Sequence, residues 1–255
     1  MNFIDTHAHI YLSAFDEDRN KVIARAIKNN VTKIFLPNID SSSVKGMLDL
    51  CNDFPDNCFP MIGLHPTSVK KDFENELINV DTQLKSEKFI AIGETGIDLY
   101  WDKTFLEEQI IAFKEQIKLA KFFNLPIVIH TRDSFKEVFK ILDEVNDTKL
   151  NGVFHCFSGN IEEANKAISY GFKLGIGGVI TFKNSKLVEV IKNINIKHII
   201  LETDAPFLSP MPYRGKRNES LYINIIAKKI SELYNEKIEI IAEATTQNAE
   251  QLFKL

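Results

Sequence analysis

Five of the six histidines in this 255-residue chain follow short apolar runs. His7 and His9 close a run over residues 3–9, His65 a run over 58–65 and His130 a run over 126–130, while His155 lies in the run 152–157. Two carboxylates occupy matching places: Glu94 after the run 89–93 and Asp204 after the run 198–202. Imidazole and carboxylate are the ligands of borderline divalent metals such as Zn²⁺ or Mn²⁺. In His7-Ala8-His9 the side chains two apart point the same way along a strand, so both rings can reach one ion. Four histidines and two carboxylates offer more ligands than one ion needs. The count suits two cations roughly 3.5–4 Å apart, the spacing of two-metal hydrolases. Cations so close repel each other, and Glu94 is the best candidate for the bridging anion. Asp204 is assigned to a metal and to proton transfer from the attacking water. Glu202 shares its side by alternation, either steadying the ligands by hydrogen bonding or lying satisfied in an inner layer, and Asp5 has the same two readings. Cys156 is expected to point toward the helices as a buried thiol, neither nucleophile nor ligand.

Such a cluster requires elements that bring distant segments to one rim. Eight apolar runs, over residues 3–9, 32–37, 58–65, 89–93, 126–130, 152–157, 172–177 and 198–202, read as parallel strands buried on both faces. Helical spacing lies between them, as in Leu106, Ile110, Phe113, Ile117 and Ala120. Ser41 to Ser43, Asp133-Ser134 and Asn160 with Glu163 mark helix starts, and Gly171 marks an end. Eight strand–helix units in 255 residues match a single (β/α)₈ TIM barrel of about 250 residues, with a doubly wound open sheet as the alternative. In such a barrel the chemistry lies at the strands' C-terminal ends, where the five histidines map; His198 falls on the opposite rim. No composition break divides the chain, so residues 1–255 are read as one domain.

The net charge of −4 excludes a protein held to nucleic acid by bulk positive charge. Three cysteines argue against a disulfide framework. The start shows no signal-peptide pattern, and no window approaches a membrane span, so a cytoplasmic, non-membrane protein is expected. No long apolar stripe calls for a stable protein partner, and a monomer is expected. Local cations choose the substrate class. Arg132 follows His130 by two residues, and Arg214, Lys216 and Arg217 lie after the last strand beside Asn218. They favour a phosphate-bearing substrate, although the 214–217 run reads equally well as a solvated loop. Tyr100, Trp101 and Tyr213 fall in loops of the same face, as base-stacking groups, lids or packing.

Over nearly its whole length the chain resembles the TatD family of metal-dependent deoxyribonucleases. The resemblance rests on the segments 5–9 (Asp-Thr-His-Ala-His), 63–66 (Gly-Leu-His-Pro), 92–98 (Ile-Gly-Glu-Thr-Gly-Ile-Asp), 126–132, 155–159, 201–208, 214–219 and 248–253. It implies an amidohydrolase-like (β/α)₈ barrel with an extra C-terminal helix. It implies two divalent cations (Mg²⁺, Mn²⁺ or Zn²⁺) and hydrolysis of DNA phosphodiesters by a metal-activated water, as a 3′–5′ exonuclease. One metal would lie on His7, His9, Glu94 and Asp204, the other on Glu94, His130 and His155. Glu94 and Asp204 would be the catalytic carboxylates, and His65, Arg132, Arg214 and Arg217 would contact substrate. Two departures stand out: Thr67 replaces a second histidine after Gly-x-His-Pro, and Ser220 replaces the proline of Arg-Asn-Glu-Pro. Glu94, in place of the carboxylated lysine of wider amidohydrolases, favours the TatD branch. The alternatives are a D-aminoacyl-tRNA deacylase or another ester or amide hydrolase on the same site, and a non-catalytic binding protein, against which the full ligand set argues.

Overall fold

The computed structural model describes residues 1–255. It is an α/β fold whose strands all pair in parallel. Strands β1 (Phe3–Asp5), β2 (Val31–Pro37) and β3 (Cys58–Met61) form one sheet. Strands β4 (Ile92–Asp98), β5 (Ile127–Arg132), β6 (Gly152–Phe154), β7 (Lys173–Ile176) and β8 (Ile199–Leu201) form a second, each beside its neighbour in sequence. Single parallel bridges, Ile62 with Ile92 and Ala8 with Ala205, join the edges of the two sheets. Between the strands lie α1 (Arg19–Lys28), α2 (Ser41–Asp53), α3 (Phe73–Ser86), α4 (Leu106–Phe123), α5 (Phe135–Val145), α6 (Ile161–Ser169) and α7 (Leu187–Ile191); α8 (Ile223–Tyr234) and α9 (Ile238–Phe253) follow β8. No helix is long and apolar enough to cross a membrane.

Strand alternation divides the apolar residues between two cores. Ile4, Phe35, Met61, Val128, Val153 and Ile200 converge in an inner cluster that α9 closes with Ala249, Leu252 and Phe253. The opposite faces, with Phe3, Ile34, Ile127, Ile129, Phe154 and Leu201, pack on helix residues such as Val22, Phe113, Leu142, Ala164 and Ile226.

The strand ends differ from the apolar runs. β1, β3, β6 and β8 stop earlier, leaving His7, His9, His65, His155 and Asp204 on the segments just beyond them. β4 begins later and runs on to Asp98, so Glu94 lies inside a strand. Hydrophobicity misses this because Glu94, Thr95 and Asp98 are polar yet wholly buried. Gly96 is what lets β4 lie against β5 there. Its φ is 140°, and a Cβ would strike the carbonyl oxygen of His130. The second helix is capped by Asp40 in a capping box with Ser43, and Asn160 and Glu163 form the expected box on α6.

Candidate metal centre and active site

Glu94 organises the centre by dividing its two oxygens. Oε2 lies 3.1 Å from His7 Nε2 and 3.6 Å from His9 Nε2. Oε1 lies 2.8 Å from His130 Nδ1, 3.4 Å from His65 Nε2 and 3.6 Å from His155 Nε2. Asp204 Oδ1 completes the first group, 3.8 Å from His7 Nε2 and 3.6 Å from His9 Nε2, and also lies 3.9 Å from His155 Nε2. The two imidazole nitrogens of His7 and His9 are 3.3 Å apart. Ligands bound at 2.0–2.1 Å in a tetrahedron lie about 3.3 Å from one another. The first group therefore has the dimensions of a divalent-metal site, and a second group shares its carboxylate. The donors are all imidazole and carboxylate, which suits borderline and hard divalent cations.

Outer partners fix which ring nitrogen is free to bind. Tyr11 donates its hydroxyl to the Pro37 carbonyl, so its oxygen accepts from His9 Nδ1, 2.9 Å away, leaving the His9 Nε2 lone pair toward the cluster. Asp98 Oδ2 accepts from His130 Nε2 at 2.8 Å, leaving Nδ1 toward Glu94. Glu202 Oε1 sits 2.9 Å from His155 Nδ1 as its ion-pair partner and also accepts from the Cys156 backbone N–H. Of the two roles open to Glu202, steadying a histidine is the one its placement fits. His65 differs. Its Nδ1 accepts from the Thr67 backbone N–H at 3.1 Å, so the neutral ring carries its proton on Nε2 and offers a donor, not a lone pair, to the centre. Thr67 thus orients His65 and lines the cavity beside it.

The electrostatics follow from burial. Burial opposes charge on Glu94, but His65, His155 and His7 outweigh it and hold the carboxyl well below its usual range. Burial works against the charged form of His155 too, yet Glu202 and then Glu94 raise it to about 10. Burial pushes Asp204 up to about 6 against the pull of His155 and His9. Burial likewise raises Asp5 to about 7, although Thr203 donates to it from both backbone and hydroxyl. Asp5 therefore secures the segment that carries Asp204.

These groups floor a cavity of about 500 Å³ whose walls include His65, Thr67 and Arg132 and whose mouth includes Trp101, Phe207 and Leu208. A hollow of about 610 Å³ opens over the starts of α5 and α6, with Lys136 and Lys186 in its wall and no histidine.

Two expectations need correction. Arg217 does not line the cavity: it bonds Asp18 and the Ala14 carbonyl and lies over Phe15. Of the readings open to Tyr213, packing is the one its placement fits: half-buried, it stacks flat on Tyr222. Cys156 is half-buried with its thiol near His155 and Glu202, not among the helices; β6 has ended at Phe154 and a φ of 45° breaks the alternation. Arg214 lies over Phe182, makes no ion pair and likewise does not line the cavity. Several supporting residues carried no local signal, among them Tyr11, Asp98 and the glutamines of α4. Gln109 brackets the backbone N–H and carbonyl of Asp98, and Gln116 does the same for Leu64, the residue before His65. The one available clue was that both glutamines fall on the apolar face of their helix.

A model of the TatD related DNase family matches residues 4–254. YabD of Bacillus subtilis strain 168, described as an uncharacterized metal-dependent hydrolase, is 39% identical over 252 residues, covering 98% of each chain. The crystal structure of YjjV, a TatD homologue from Escherichia coli K12, superposes with a TM-score of 0.93 at 30% identity, covering 99% of this chain and 98% of that one. An uncharacterized amidohydrolase from Saccharomyces cerevisiae, 16% identical, superposes with a TM-score of 0.84 over 99% of each chain and shares the amidohydrolase-like fold.

Proposed function

The chain belongs to the TatD family of metal-dependent hydrolases, and from that premise we propose that it cleaves phosphodiester bonds of DNA as a 3′–5′ exonuclease. Residues 1–255 act as one domain, closed into a (β/α)₈ barrel through the Ile62–Ile92 and Ala8–Ala205 bridges. His7, His9, Glu94 and Asp204 would hold one divalent cation, and Glu94, His130 and His155 a second. When bound, Mg²⁺, Mn²⁺ or Zn²⁺ would polarise the phosphate and make water a better nucleophile.

The observation that carries the choice of substrate is Arg132. Its guanidinium lines the cavity, rests on aromatic rings and has no carboxylate partner. An arginine left without an anion beside a pair of candidate cation sites suits a phosphodiester better than a neutral amide. His65 Nε2–H would donate to a non-bridging phosphate oxygen, and Arg132 would fork onto the same group. Asp204 Oδ2, which no protein group donates to, would take the proton of the attacking water. Arg214, likewise without an ion pair, would meet a more distant phosphate.

The test is a side-by-side assay of end-labelled single-stranded DNA and a D-aminoacyl-tRNA with Mg²⁺, Mn²⁺ and Zn²⁺. Stepwise loss of nucleotides from the 3′ end, abolished by a chelator, is the expected result. Deacylation without DNA cleavage would replace this reading with the ester-hydrolase one.

A further inference from the structure

The mouth of the cavity carries aromatic surface that the hydrolytic chemistry does not use. Trp101 is 69% exposed and Tyr100 54% exposed, and Phe207 and Leu208 stand exposed on the segment after β8. Exposed apolar side chains elsewhere, such as Ile78, Ile111, Phe122 and Ile240, lie on helices; these gather around one opening.

The Trp101 surface is held in place. Asp98 Oδ1 accepts from the backbone N–H groups of both Tyr100 and Trp101, at 2.9 and 3.1 Å, while its other oxygen holds His130. Arg132 lies 3.8 Å over the Tyr100 ring and 5.4 Å over the Trp101 ring, and the two rings meet edge to face at 5.0 Å. Tyr100 therefore has one face occupied by a cation, whereas the Trp101 indole keeps a face open to the cavity mouth. The site is polar and ionisable at its floor, cationic on one wall and flat and apolar at its lip. A nucleotide has the matching arrangement of phosphate and base.

We propose that Trp101, braced by Tyr100, Arg132 and Asp98, is a stacking shelf for the nucleobase attached to the phosphate that Arg132 receives. The proposal rests on the nuclease reading for its ligand, and it makes Trp101 a residue that sets affinity for base-bearing strands without touching the reacting atoms. Asp98 is a positioning residue that ties the shelf and His130 to one carboxylate.

The chain holds a single tryptophan, so its intrinsic fluorescence reports on the shelf alone. The experiment titrates the full chain with a short oligothymidylate, and with an otherwise identical abasic strand, in EDTA so that nothing is cleaved. Saturable quenching by the base-bearing strand and none by the abasic one is expected. Anisotropy of labelled oligothymidylate should show binding weakened about tenfold by Trp101→Ala and largely restored in Trp101→Phe, the scale of one lost base–aromatic stack. Trp101 is exposed, so both variants should fold. With Mg²⁺ the same loss should appear in KM for DNA and leave kcat within about twofold. Equal binding of both strands by the unaltered chain, or unchanged affinity in Trp101→Ala, would overturn the shelf. Quenching with no DNA cleavage under any metal would keep the shelf and sink the nuclease reading.

Discussion

Val128, Val153 and Ile200 lie in the apolar inner core against α9, and His130, His155 and Glu202, two residues further along the same strand paths, stand in the ionisable centre. The step between them is about 6.6 Å of extended chain. Below it, cohesion comes from burial and dispersion, which tolerate some change of shape. Above it, buried carboxylates and imidazoles are stable only through their particular partners, and those partners also fix the chemistry. The two layers share a backbone but should fail differently. Trimming the lower layer should cost stability and spare turnover, and altering the upper should cost turnover and spare the fold.

The largest expected effect lies in the upper layer. Asp204→Asn keeps the size of the side chain and removes the proton acceptor, so DNA cleavage should fall on the order of a thousandfold. Measured in EDTA, its melting temperature should change little, because the desolvation cost of the buried carboxylate is removed together with its attraction to His155 and His9. Full activity in this variant would refute the role given to Asp204. In the lower layer Phe253→Ala removes a ring packed 4.8 Å from that of Phe35. It should cost about 3–4 kcal/mol in denaturant unfolding while kcat, measured where the protein stays folded, is unchanged. Loss of kcat in the folded variant would show that the layers are not separable.

Metal removal sharpens the same contrast. A ligand that binds only the folded state stabilises it by about 2.7 kcal/mol at a hundredfold excess over Kd, so EDTA should lower the melting temperature by about 5–10 °C. The shift should vanish in Glu94→Gln, which weakens the carboxylate common to both ligand groups, and persist in Phe253→Ala. A chelator effect of equal size in Glu94→Gln would place the cation elsewhere.

The cluster of candidate ligands was legible because each histidine follows an apolar run, and alternation along a strand is a local property. His7, His9, Glu94, His130, His155 and Asp204 meet within a few ångströms although nearly two hundred residues separate the first from the last. Glu202 and Asp5 were legible as supports by the same alternation, but Tyr11, Asp98 and Gln116 were not, since the groups they bond lie far along the chain. Tyr11 bonds Pro37, Asp98 bonds His130 and Gln116 holds Leu64. The course of β4 was hidden for a related reason. Glu94 and Asp98 look like loop residues until their side chains are seen to be satisfied inside.

Arg217 gives the smallest effect and the finest discrimination. The run 214–217 looks uniformly basic in sequence, yet its two arginines stand in opposite circumstances. Arg214 lies over Phe182 without an ion pair, while Arg217 holds the Asp18 carboxyl below its usual range and bonds the Ala14 carbonyl; neither arginine lines the cavity. Both members of the Arg217–Asp18 pair are partly exposed, so the pair is worth about 1 kcal/mol or less. Arg217→Ala should therefore lower stability by about that amount and leave KM for DNA within about twofold. Arg132→Ala should raise KM about tenfold or more, since the contact it loses is a charge-assisted one to phosphate. Equal rises in KM in the two variants would mean that Arg217 leaves Asp18 when DNA binds, and the loop would then belong with the mobile, substrate-reading part of the upper layer and not with its frame.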